Sequence, residues 1–209
     1  MRRLLLLVAL LSLNGANAQQ SYLVDWDAVG REATDHLVEL VKIPSVNPPG
    51  NETEVAEYVK AVLAAEGIGS ELYALDPARA NLVARLEGNG SKPPILIMGH
   101  TDVVGVQADK WTEEPFSGLR KDGWLYGRGA GDMKSGVAAM TYAVHAVEKA
   151  GFGFKAPVTI EAVIEEECGG NGGGVQADFR GDDLCHCDRV EDIRLAGFAP
   201  LLLVGIHSH

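Results

Sequence analysis

The sequence predicts an α/β protein, a sheet flanked by helices, because stretches with helical hydrophobic period alternate with short aliphatic runs. Two further observations support this. The aliphatic runs end on glycine, proline or charged residues, and 46% of the 209 residues are hydrophobic with 25 glycines, which suits a globular chain. That length holds one domain with a sizeable core.

Residues 1–18 stand apart from this pattern. Arg2 and Arg3 precede an apolar run from Leu4 to Leu13, and Ala16-Asn17-Ala18 follows. That order reads as a secretory signal peptide, cleaved near Ala18, with an apolar run too short to span a membrane. The expectation is export, to a periplasm or to the outside.

A helix is expected over 25–43, with Val29, Ala33, Leu37 and Leu40 on one face. "IPSVNPPGNE" breaks it. Asn51 with Glu54 reads as an N-cap and its partner for a second helix carrying Val55, Val59, Val62 and Leu63, closed by Gly67. Strands follow at 70–75, 81–88 and 94–100. After a polar loop, "FSGLRKDGWLYGRG" reads as a hairpin turning at Asp122-Gly123. Residues 133–149 form a helix with Val137, Met140, Val144 and Val147 in one stripe. "PVTIEAVIEE" is a last strand, apolar enough to be central in the sheet.

The formal charge of −11, with no basic run after residue 3, argues against nucleic acid as a partner. Three cysteines, Cys168, Cys185 and Cys187, do not make a disulfide framework. "GRGAGDMKS" is no phosphate loop, because Met133 stands where that motif needs the glycine before its lysine.

Chemistry-bearing groups collect at strand and helix ends. His100 and Asp102 stand two apart at a strand terminus, and residues i and i+2 of a strand point the same way. The carboxylate then takes one imidazole nitrogen and leaves the other for a metal. A strand-end histidine bonded to a loop is the plainer alternative. Asp132 opens the long helix, as a cap or as a ligand, and Gly127, Gly129 and Gly131 permit a close backbone approach. Glu165, Glu166 and Glu167 end the last strand, as solvated charge or around something positive. All of them fall at carboxyl ends of strands or beside them, where α/β sheets bind ligands.

"GHTDVV", "W…PFSG…DGWLYGRGAGDMKSG" and "EEECGGNGG", in this order, resemble the zinc-dependent exopeptidase and amidohydrolase family. That family includes aminoacylase, acetylornithine deacetylase, succinyl-diaminopimelate desuccinylase and glutamate carboxypeptidase. The resemblance runs from about residue 30 to about 174. It implies that His100 is a ligand of one zinc and that Asp102 orients it. It implies that Asp132 bridges two zincs, with a cis peptide before Met133. It also implies that Glu166 is the general base, that Glu167 is a ligand of the second zinc, and that Glu165 has no ligand role. Zinc, or cobalt in its place, would be the cofactor, and a small peptide or N-acyl amino acid the substrate.

The implied organisation is a signal peptide at 1–18, the N-terminal part of a zinc hydrolase catalytic domain at 19–175, and an off-pattern tail at 176–209. The implied fold is a partial three-layer sheet flanked by helices, truncated after the paired glutamates. Family motifs beyond Gly174, including a further acidic ligand and a histidine, find no match. Cys185, His186, Cys187, His207 and His209 are competent donors at no standard zinc spacing. The expected function is hydrolysis of amide or peptide bonds, incomplete in this chain. The alternatives are an inactive truncated or frameshifted fragment with weak metal binding, and a non-enzymatic binding module.

Overall fold

The computed structural model describes residues 24–168. Within them lie helices α1 (Trp26–Lys42), α2 (Thr53–Ala65) and α3 (Lys134–Lys149), and strands β1 (Ser70–Asp76), β2 (Arg79–Leu86), β3 (Ile95–His100), β4 (Leu119–Lys121), β5 (Trp124–Tyr126) and β6 (Val158–Val163). The signal-peptide and tail expectations lie outside the described residues.

Four strands form one sheet in the order β1-β2-β6-β3. β1 pairs antiparallel with β2 and β2 antiparallel with β6, whereas β3 and β6 are parallel, with His100 opposite Val163. β6 is therefore internal, as its aliphatic composition predicts. The fold is mixed α/β, with a partly mixed sheet flanked by helices. Leu82, Ala84 and Leu86 pair with Ala162, Ile160 and Val158, so all six present one face. That face meets Val55, Val59 and Leu63 of α2 and Val137 and Val144 of α3 in a single buried cluster. Leu37, Leu40 and Val41 of α1 close the cluster from outside. A Cβ at Gly99 would lie 3.3 Å from the Met133 methyl and 3.4 Å from Val137, which measures how tightly the start of α3 rides on the end of β3.

Local signals explain most boundaries. Asp25 caps α1, its Oδ1 accepting from the Ala28 N–H at 2.9 Å. α1 ends because Ile43 precedes Pro44 and is extended. Asp122 and Gly123 both have positive φ, 53° and 83°, the backbone of a tight two-residue turn between β4 and β5. An Arg120–Asp35 ion pair at 2.6 Å ties that hairpin to α1.

The second helix corrects the sequence reading. Its N-cap is Glu52, not Asn51, and no side chain caps it. Glu52 is fully buried, and its carboxylate is taken by Arg79 of β2, Nε to Oε2 at 3.0 Å and Nη2 to Oε1 at 2.7 Å. A buried carboxylate left unpaired costs far more than a missing cap, so this pairing sets where the helix begins. The Thr53 hydroxyl then joins the helix start to the β1–β2 turn, donating to the Pro77 carbonyl and accepting from the Ala80 N–H, both at 2.9 Å.

No helix among the described residues is long and apolar enough to cross a membrane.

Candidate metal centre

Parallel pairing of β3 and β6 places both carboxyl ends on one sheet edge. There the Thr101 N–H and hydroxyl both donate to the Val163 carbonyl, at 2.8 and 3.0 Å. Residues 45–47 run alongside. Val103 N–H donates to the Ser45 carbonyl at 3.0 Å, Asn47 N–H to the Val103 carbonyl at 2.9 Å, and Ser45 Oγ to the Thr101 carbonyl at 2.6 Å. The "IPSVNPPG" loop is thus stitched beneath the edge on which His100 stands.

His100 is buried, and its two ring nitrogens are both engaged. Nδ1 meets the backbone carbonyl of Asp102 at 2.9 Å, while the Asp102 carboxylate is 3.5 Å away. The expected carboxylate–imidazole pair is present at ion-pair distance, beside a shorter contact from the backbone. β3 ends at His100, so Asp102 no longer follows the strand's alternation. Its carbonyl, not its side chain, makes the short contact. The other nitrogen, Nε2, faces Asp132 Oδ1 at 3.0 Å and Glu166 Oε2 at 3.7 Å. Burial opposes charge on this imidazole, but the bonds to Asp102 and Asp132 outweigh it and raise its pKa to about 9.

The Asp102 carboxylate has other partners. Oδ2 accepts from Asn47 Nδ2 at 2.9 Å and from the Glu167 N–H at 3.1 Å, and Oδ1 accepts from the Glu166 N–H at 3.2 Å. Burial pushes its pKa up. The bonds from His100, Asn47, Glu167 and Glu166 overcome that and bring it down to about 2. A fully buried, ionised Asp102 therefore holds the backbone of both glutamates. Cys168 Sγ–H donates to the Asn47 carbonyl at 3.5 Å on the same loop.

Asp132 does not cap α3. Met133 occupies the cap position without a side-chain bond, and the peptide between Asp132 and Met133 is cis. The carboxylate projects outward, 83% exposed, toward His100. Lys134, next along, is fully buried and turns the other way. Its Nζ donates to the Leu40 and Ile43 carbonyls at 2.9 and 2.5 Å, closing the C-terminus of α1. Burial lowers its pKa to about 7, with Glu54 opposing. The close approach permitted by the glycines is an approach to the protein itself. A Cβ at Gly127 would meet Val41 at 2.3 Å, and one at Gly129 would meet Val103 at 2.5 Å.

His100, Asp132 and Glu167 each offer a ligand atom, and these lie within 4.8 Å of one another. Glu167 has a raised pKa, first from burial and then from Asp132, Asp102 and Glu166, with His100 opposing. Carboxylates so crowded around one imidazole fit a divalent cation, and one nitrogen with carboxylate oxygens is a donor set that zinc accepts. Glu166, more exposed, stands beside the set with its carboxylate toward Nε2.

Four supporting residues were not singled out in the sequence: Asn47, Glu52, Arg79 and Lys134. Asn47 and Glu52 lie inside the quoted "IPSVNPPGNE" loop and Lys134 inside "GDMKSG", so a polar residue within a motif was the available signal. Arg79 had none.

Residues 96–195 match the model of peptidase family M20/M25/M40. The chain is 43% identical over 123 residues to the succinyl-diaminopimelate desuccinylase of Parvibaculum lavamentivorans, a match covering 56% of this chain and 30% of the relative. It is 30% identical over 166 residues to the N-formyl-4-amino-5-aminomethyl-2-methylpyrimidine deformylase of Bacillus subtilis, covering 71% of this chain and 39% of the relative. The fold superposes on human carnosine dipeptidase 1 with a TM-score of 0.56 at 26% identity, over 70% of this chain and 34% of that one. The chain thus spans between 30% and 39% of the length of these two curated relatives.

Proposed function

The chain is a relative of the M20/M25/M40 peptidases, and on that premise we propose that it acts as a metal-dependent hydrolase of peptide or amide bonds. The observation that carries this is the convergence of His100, Asp132 and Glu167 within 4.8 Å at the carboxyl edge of the sheet. His100 Nε2 and the carboxylates of Asp132 and Glu167 would hold the cation, zinc or cobalt. A bound divalent cation polarises a carbonyl and acidifies water.

The chain's own residues do the rest. Glu166, its backbone fixed by Asp102, accepts a proton from water and returns it to the leaving amine. Asp102, ionised and buried, keeps the loop of both glutamates in register with His100. Its carbonyl holds Nδ1, so Nε2 is the nitrogen presented to the site. The substrate is a dipeptide, a C-terminal residue or an N-acyl amino acid. The relative named as a desuccinylase supports the N-acyl amino acid, and the structure named as a dipeptidase supports the dipeptide. Residues 1–18 support an exported enzyme.

The test is metal content and amidase activity of the purified full chain against dipeptides and N-acyl amino acids. Zinc or cobalt bound at one to two equivalents, with hydrolysis abolished by a chelator and restored by the metal, is expected. Substoichiometric metal without turnover would assign an inactive fragment instead. Stoichiometric peptide binding without turnover would assign a binding module.

A further inference from the structure

The turn after β6 passes through Glu165, whose φ of +64° is a left-handed conformation that residues other than glycine adopt at a cost. Its neighbours on both sides are pinned. The Ile164 N–H donates to Asn81 Oδ1 at 2.8 Å, and the Glu166 and Glu167 N–H groups donate to Asp102. Glu165 itself is reached by a cation, with Arg79 Nη1 3.5 Å from its Oε1.

Arg79 is unusually well placed to hold a neighbour. Its Nε and Nη2 both bond fully buried Glu52, so the guanidinium plane is fixed and Nη1 is the nitrogen turned to Glu165. Gly50 lies over the pair. A Cβ there would fall 2.4 Å from Arg79 Nε and 2.9 Å from Glu52 Oε2, so the loop admits no side chain at that point.

We propose that Arg79 is a positioning residue for the metal centre: it holds the Glu165 turn, and through that turn it sets where the Glu166 and Glu167 carboxylates meet His100 and Asp132. The proposal rests on the metal reading above. Glu165 is thereby given a task that none of the metal-ligand and general-base roles assigns it. The first of the three adjacent carboxylates faces an arginine and the third would face the metal, which lowers the repulsion between these two.

The test titrates cobalt(II) into the full-length wild-type chain and four variants well below their melting temperatures, reading affinity and the visible absorption of the bound ion. Glu167→Gln is the ligand control. Glu165→Gln removes the partner charge and keeps the Arg79–Glu52 pair, so its fold is retained. Arg79→Met is paired with Arg79→Lys, which keeps the charge and loses the fork. Glu165→Gln and Arg79→Met are expected to weaken cobalt binding about 10-fold or more and to change the absorption band, with Arg79→Lys intermediate. Wild-type binding that Glu167→Gln abolishes, but that Glu165→Gln and folded Arg79→Met leave within about twofold, would overturn the Arg79 assignment alone. Failure of the wild type to bind cobalt would overturn the proposed function, and this assignment with it.

Discussion

Asn47 donates from Nδ2 to Asp102 Oδ2 at 2.9 Å, joining two buried residues 55 positions apart. The bond runs from the proline-rich loop to the carboxylate that carries the glutamate backbone. Asn47→Leu has a similar size and removes the donor. It should weaken divalent-metal binding about 10- to 100-fold, as loss of a partner behind a ligand typically does. It should also lower folding stability by about 1–3 kcal/mol, because Asp102 keeps its charge with one bond fewer. Isothermal titration with zinc and urea denaturation measure the two effects. Unchanged metal affinity would show that the Asn47 bond supports the fold alone.

Glu166 and Glu167 are adjacent, and their proposed tasks differ. Glu166→Gln should leave metal content within twofold of wild type while turnover falls about 100- to 10,000-fold. Glu167→Gln should lose metal and turnover together. Metal analysis beside kinetics on the same preparations checks this, and loss of metal from the Glu166 variant would reverse the assignment.

Lys134 places an ammonium on two carbonyls at the end of α1, at 2.9 and 2.5 Å. Lys134→Met keeps the stem and removes the ammonium from two carbonyls that each retain one backbone donor, from Ile43 and Ser45 N–H, with an expected cost of about 1–3 kcal/mol for the lost charged bonds. Lys134→Ala adds a cavity and should cost more, about 2–5 kcal/mol. Equal losses in denaturant titration would mean that packing, not the carbonyl bonds, is what Lys134 supplies.

Glu161 is buried at 3% exposure in β6, and its Oε1 has no hydrogen-bond partner. Burial raises its pKa. The unfolded chain therefore releases this proton first. Folding loses stability as pH rises from the ordinary carboxyl value through the raised one. Glu161→Gln cannot ionise. It should match the parent at pH 4 or below and exceed it near neutrality, by about 1–3 kcal/mol. Melting curves across that window decide, and a constant offset at all pH values would exclude ionisation as the cause.

The sheet edge was legible in the sequence because periodicity and strand-end position are local properties. An aliphatic run ending on His100, another ending on Glu165, and a helix opening at Asp132 each announce themselves within a few residues. What supports the site is not local. Arg79 meets Glu52 across 27 positions, and Lys134 reaches Leu40 across 94. No pattern around either residue names its partner. Two local rules also gave way to distant ones. Asn51 with Glu54 satisfies the spacing of a capped helix start, but the buried Glu52–Arg79 pair decides the boundary. His100 and Asp102 satisfy the alternation of a strand, but the strand stops between them. Asp102 turns to Asn47 and to two backbone N–H groups that arrive about 65 residues later.

The parallel register of β3 and β6 has a consequence for how the molecule is made. Parallel strands cannot join through a tight turn, and here the hairpin and α3 intervene. His100 and Asp132 are synthesised well before Glu167, yet the three share a site only once β6 has docked between β2 and β3. Contacts so distant in sequence form late and slowly. On the proposed metal reading, a divalent ion supplied to the refolding chain is expected to meet His100, Asp132 and Glu167 together only after β6 has docked, so ion capture would serve as a clock for closure of the sheet.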